Sequence, residues 1–183
     1  MEIAWVDLET TGLHPEQGDE IIEAAVIITD EHLRELSRWH AYVTPSERAV
    51  ARMDACEDNF VRRVVGFDEG LWRVRGSISQ EAAAGLLRRM VGGRRGAGHC
   101  WSVFDIRFLR CLFDVDAALG THRPLDTASL AYDYVRRGWI KNAGLGRLCR
   151  YLGVSLERAH AADCDIEATV ECARRLLGVT PCH

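Results

Sequence analysis

No stretch of the chain approaches the roughly 20 apolar residues that a bilayer-spanning helix needs. The opening residues, MEIAWVDLETTG, set acids where a secretory leader requires an apolar run. The expectation is a soluble, cytoplasmic protein with no membrane partner. Lysine is nearly missing, since of 23 basic residues only Lys141 is a lysine. The arginines that replace it suit either guanidinium–phosphate contacts or ordinary solvated faces. An excess of positive charge is missing as well. The formal net charge of −4 excludes binding of nucleic acid through bulk charge and leaves room only for a local basic groove. The seven cysteines form an odd set with no C-x-x-C spacing, so neither a zinc ribbon nor a disulfide framework is indicated, and a reducing cytosol suits them. Internal repeats and low-complexity segments are absent. With 183 residues, 48% of them hydrophobic, the chain can bury one good core but not two, so residues 1–183 are read as a single domain.

Residues 3–8, IAWVDL, are apolar on both alternating sets, the pattern of a central strand buried on both faces. Residues 20–29 and 34–44 read as two further strands. Short polar links between the three predict an antiparallel meander. Residues 79–91 predict a helix closed by Gly92 and Gly93, residues 96–101 a short buried strand, and residues 104–113 an amphipathic helix. Asp126 has the character of an N-cap for a helix running to about 135, and residues 145–152 mark another that Gly153 ends. The last helix starts near Asp163, the expected N-cap, carries Ile166, Val170, Ala173 and Leu177 on one stripe, and has Gly178 at its C′ position ahead of Pro181. The whole is an α/β layered domain with a mixed sheet, antiparallel through strands 1–3 and flanked by helices. Residues 46–78, polar and rich in arginine, carry no assignment.

Side chains two apart on a strand share a face, so Asp7 and Glu9 project together from the end of a buried strand. Two carboxylates about 4 Å apart at an effective dielectric near 20 repel by roughly 4 kcal/mol, so such a pair shares a proton, binds a cation or lies in solvent beyond the strand. Thr10, Thr11 and Gly12 follow with hydroxyls and backbone N–H groups suited to a ligand's polar end, or to an ordinary turn. Asp105 falls in the first turn of a helix, where the helix dipole alone would favour it. In HAADCDIEAT, residues 160–169, Asp165 opens the last helix and His160 lies five residues earlier. A carboxylate-only set selects magnesium or manganese over zinc, and a nearby histidine outside that set is placed to accept a proton from an attacking water.

WVDLETTGL, HCWSVFDIRFL and HAADCDIEAT resemble, in order, the three exonuclease motifs of the DEDDh family: the DnaQ-like proofreaders, oligoribonucleases and related nucleases on a ribonuclease-H-like fold. The resemblance runs from residue 3 to about 177 and is reinforced by LDTASLA and GLGRLCRYLGV, similar to the helical stretch ahead of the third motif. It implies that Asp7, Glu9, Asp105 and Asp165 hold two divalent cations, Mg2+ or Mn2+, with His160 as general base. It implies further that Thr10, Gly12 and Leu13 meet the terminal nucleotide, Leu13 as a wedge against its base. The implied reaction is hydrolysis of single-stranded DNA or RNA from the 3′ end to nucleoside 5′-monophosphates. Many relatives carry an asparagine shortly before the second-motif aspartate, where this chain has Cys100 and Trp101; Trp101 is either a core residue or a platform for a base. Two alternatives stay open: a proofreading exonuclease subunit of a DNA polymerase, and a nucleic-acid-binding module of the same fold without catalysis; a polymerase or a second copy in a homodimer is the candidate protein partner. Little chain follows Gly178 for docking to a polymerase, and all four acids and the histidine are present, so a free-standing enzyme is the expectation.

Overall fold

The structure, a computed structural model, describes residues 1–58 and 60–179. Its centre is a six-stranded sheet in the order β4-β3-β2-β1-β5-β6. Strands β1 (Ile3–Thr10), β2 (Ile21–Thr29) and β3 (Glu35–Thr44) form the expected antiparallel meander. After α1 (Glu47–Asp54), a single π-type turn (Val61–Val65) and α2 (Glu69–Val74), the two-residue β4 (Ile78–Ser79) adds in parallel to the outer edge of β3. Helix α3 (Gln80–Val91) leads to β5 (Arg95–Gly98), which pairs in parallel with β1. Helices α4 (Asp105–Leu112) and α5 (Val115–Ala118) then lead to β6 (Thr121–Asp126), parallel to β5. Four further helices close the described fold: α6 (Thr127–Leu130), α7 (Tyr132–Arg136), α8 (Leu145–Leu152) and α9 (Ala162–Leu176). Among the described residues, no helix is long and apolar enough to cross a membrane.

The double-sided apolar pattern of β1 is used on both faces. Ala4, Val6 and Leu8 pack with Ala83, Leu87 and Val91 of α3 and Ile106 and Leu109 of α4, while Ile3 and Trp5 pack against Ile166, Val170 and Ala173 of α9. Period-two alternation then carries the Ile3–Trp5 row onward through Asp7 and Glu9, so both acids emerge on the face that α9 covers.

Several boundaries differ from the sequence reading. Strand β1 continues to Thr10 because Asp7, Leu8 and Glu9 pair with Ala25, Ala24 and Glu23 of β2, which keeps the two acids inside the sheet rather than beyond its end. The predicted strand over residues 96–101 stops at Gly98, and β6 was not foreseen: THRPLD is polar and contains Pro124, tolerated because β6 is an edge strand. Asp126 is the expected N-cap, accepting hydrogen bonds from the N–H groups of Ala128 and Ser129, but the helix breaks at Ala131 into α6 and α7. Asp163 does not cap α9; Ala161 holds that position without a side-chain bond, and Asp163 lies within the first turn. Gly153 and Gly178 take the left-handed backbone expected of them, with φ of 69° and 67°, while Pro181 lies outside the described residues. Residues 46–78, unassigned from sequence, fold as α1, the π-type turn and α2 over Ile22, burying Met53, Phe67 and Trp72.

Candidate active site

Strand β5 is short, and its shortness makes the site. Its pairing with β1 covers only Ile3 to Trp5, so beyond Gly98 the Leu8 backbone N–H has no strand partner. Asp105, the first residue of α4 and 2% exposed, supplies the acceptor. From the other face α9 delivers Asp165, also buried, whose Oδ2 accepts the His160 N–H at 3.1 Å. Carboxylates from β1 and α4, far apart in the sequence, thus line one cavity of about 640 Å³ with His160, and α9 adds Asp165 beside them. Ligand atoms of Glu9, His160 and Asp165 all lie within 4.8 Å of one another.

The electrostatics are those of like charges held together. Burial raises Asp7 well above the usual carboxylate range, and Asp105, Glu9, Asp165 and Glu23 add to the rise. Glu9 is pushed up to about 8 by burial and then by Asp165, Glu23 and Asp105. Asp165 is raised to about 6, burial outweighing the His160 backbone bond. Burial likewise outweighs the N–H groups that favour ionised Asp105. Without a counter-charge these groups take up protons. Asp165 Oδ1 is buried with no hydrogen-bond partner among the described residues, an orphan acceptor. Such a donor set fits hard divalent cations of the magnesium or manganese kind.

The turn after β1 forms the rim. Thr10 Oγ1 donates to the Gly12 carbonyl at 2.6 Å and Thr11 Oγ1 accepts the Glu20 N–H at 3.0 Å, so both buried hydroxyls brace the turn itself. Leu13 is 64% exposed on the cavity wall. Trp101 is fully buried and its ring lies against Gly96, so it belongs to the core and cannot serve as a base platform. Cys100 takes the left-handed backbone, φ 65°, in a turn held by Asp126, which accepts the Cys100 and Ser102 N–H groups.

Some neighbours of the site were not read from the sequence. Glu23 faces Glu9 across the β1–β2 pair, 3% exposed, and bonds to His40 Nε2 at 2.7 Å. Its signal was a lone acid inside the apolar run IIEAAV. His99 lines the cavity, its Nδ1 2.8 Å from Thr127 Oγ1. Phe60, from the unassigned stretch, presents its ring edge-on to His160 with centroids 5.3 Å apart. Asp19 accepts the His14 N–H at 2.8 Å and Arg52 Nε at 2.9 Å and thereby closes the rim turn. A Cβ on Gly12 would stand 2.4 Å from Asp19 Oδ2, so Gly12→Ala should lower stability by about 1–3 kcal/mol, the usual cost of overpacking. Urea unfolding measures this, and a wild-type midpoint would show that the turn gives way freely.

Comparison with known proteins places these features in a family. The exonuclease family model RNase_T matches residues 4–173. The oligoribonuclease of Alkalilimnicola ehrlichii is 36% identical over 136 residues, 70% of this chain and 67% of that protein. The oligoribonuclease of Azoarcus sp. is 29% identical over 177 residues, 92% of this chain and 88% of its own. That of Tropheryma whipplei is 43% identical over 63 residues, 34% of this chain, and the match spans 32% of its length. Among solved structures, exonuclease I superposes with a TM-score of 0.80 at 20% identity, over 98% of this chain and 41% of that one. E. coli exonuclease I in complex with a dT13 oligonucleotide gives 0.76 at 20% identity, over 96% and 40%. At that identity the likeness shows the fold, and this chain spans about two fifths of those larger proteins.

Proposed function

Because the chain belongs to the RNase_T exonuclease family, in its DEDDh, DnaQ-like branch, we propose that it is a metal-dependent 3′–5′ exonuclease that hydrolyses single-stranded nucleic acid to nucleoside 5′-monophosphates. The observation that carries this reading is the meeting of Asp7, Glu9 and Asp105 with His160 on one cavity and of Asp165 with Glu9 and His160 beside it. Relatives named oligoribonuclease make short RNA the first substrate to try.

Each residue has a task that follows from its placement. The cavity admits a 3′-terminal nucleotide, with Leu13 against its base from the rim and Phe60 lining it beside His160. His160 is exposed at the cavity edge, its backbone fixed by Asp165, so its ring can accept the proton of the water that attacks phosphorus. The new P–O bond forms to that water, the bond to the 3′ oxygen of the preceding nucleotide breaks, and that oxygen leaves. Asp7, Glu9, Asp105 and Asp165 would hold the cations. When bound, two divalent ions offset the carboxylate charge and the charge that builds on the scissile phosphate and the departing oxygen. A module of the same fold without catalysis would have no use for four crowded acids, two buried and two half-buried.

Incubation of the chain with matched 5′-labelled RNA and DNA oligomers tests the reading. The expected result is a ladder shortening from the 3′ end in magnesium or manganese and no product in excess EDTA. Undiminished cleavage in EDTA, or cutting of closed circular strands as fast as linear ones, would contradict it.

A further inference from the structure

Charge in this chain is unevenly placed. It holds 27 acidic residues, yet residues 134–156 contain none, while Arg136, Arg137, Lys141, Arg147 and Arg150 fall there. Arg136 and Arg137 are ion-paired to Asp133 just outside the segment. Lys141, Arg147 and Arg150 are exposed and have no acidic partner among the described residues. A solvated helix face of ordinary design mixes both signs, so an unpaired cluster of one sign indicates an anionic partner.

The same segment displays aromatic rings. Trp139 and Tyr151 are 51% and 45% exposed, lie within 11° of parallel and have centroids 6.2 Å apart, and the Arg137 guanidinium lies over the Trp139 ring, 5.0 Å from its centroid. Tyr134 packs edge-on against both, with centroids 5.4 Å from each. Arg147 lies one helical turn before Tyr151 on α8, hence on the same face. The segment also reaches the active-site cavity, because the Ala143 backbone lies against the His99 ring that lines it.

Resting on the exonuclease reading above, we propose that residues 134–156 are a landing surface for single-stranded nucleic acid, holding nucleotides on the 5′ side of the one in the cavity. Tyr151 and Trp139 stack on bases, and Lys141, Arg147 and Arg150 meet phosphates. Aromatic stacking with flanking cations is sequence-tolerant, as an enzyme that walks along a strand requires.

The test compares a dinucleotide, which fills only the cavity, with a dodecamer of the same 3′ end. Tyr151→Ala and Trp139→Ala should each raise KM for the dodecamer about 5- to 100-fold, the worth of one stacked base, with kcat and the dinucleotide kinetics unchanged. Tyr151→Phe, which keeps the ring, should behave as wild type, and Arg147→Glu should weaken dodecamer binding and flatten its salt dependence. Equal losses on both lengths, or none on either, would overturn the proposal. So would a change in oligomeric mass in the variants with length dependence intact, which would assign the surface to contacts between copies. If the wild type cleaves neither substrate, the exonuclease reading fails by itself. Anisotropy of a labelled dodecamer in EDTA then still decides whether Tyr151→Ala weakens binding.

Discussion

His160→Ala should lower turnover by roughly 10²- to 10⁴-fold, the usual worth of a positioned general base, while manganese still raises the melting temperature as it does in the wild type. The second half of that expectation separates two roles that the geometry permits. The His160 ring lies within 4.8 Å of the ligand atoms of Glu9 and Asp165, close enough for it to be a metal ligand itself. As a ligand, its loss would remove metal binding and activity together. As a base, it is needed only when the water is deprotonated, so kcat falls and metal binding stays. His160 also sits at φ 65°, a backbone that alanine tolerates poorly, so His160→Asn is the better-behaved companion, since asparagine is at ease there. Both variants should fall in rate together; wild-type turnover in either would remove His160 from catalysis.

The acids were legible in the sequence because each closes an apolar element whose period could be counted. Asp7 and Glu9 end the double-sided row of β1, Asp105 opens the amphipathic α4 and Asp165 opens α9. That they meet was legible only through the resemblance of the three motifs and not from the periods, because their meeting depends on β5 stopping at Gly98 and on α9 crossing the face opposite α4, both matters of tertiary packing. Residues 46–78 were opaque for a related reason: α1 and α2 are shorter than three turns and gain their order from covering Ile22 and donating the Trp72 Nε1–H to its carbonyl. Trp101 could be read as core or as platform because nothing local distinguishes a ring buried under Gly96 from one open to solvent. Glu23 was hidden by its own context, an acid whose partners, Glu9 and His40, come from two neighbouring strands.

Asp165→Asn should nearly abolish catalysis and yet leave the metal-free protein at least as stable as the wild type. Asp165 is raised from 3.8 to about 6 in the fold. A carboxylate whose folded pKa lies above its unfolded one keeps its proton longer in the native state. Over that interval the native chain binds more protons than the unfolded chain, and stability falls as pH rises. The loss begins near pH 4 and is complete above about 6, and at 1.36 kcal/mol per unit it amounts to about 3 kcal/mol. Glu9, raised from 4.5 to about 8, extends the decline toward pH 8. The asparagine is nearly isosteric: its carbonyl still accepts the His160 N–H, and its amide donates where the orphan Oδ1 had no partner, without the charge that repels Glu9. Without metal, the gap between mutant and wild-type melting temperatures should therefore open between pH 4 and pH 6 and persist above. Manganese reverses the order at a thousandfold excess over Kd, where a ligand held only by the folded state stabilises it by about 4.1 kcal/mol. It should lift the wild type at neutral pH and do much less for the mutant. Thermal melts of both chains across this pH range, with and without manganese, are decisive. A mutant that is clearly less stable at every pH, with equal manganese shifts in the two proteins, would make Asp165 a structural acid at the start of α9 and would remove it from the metal site.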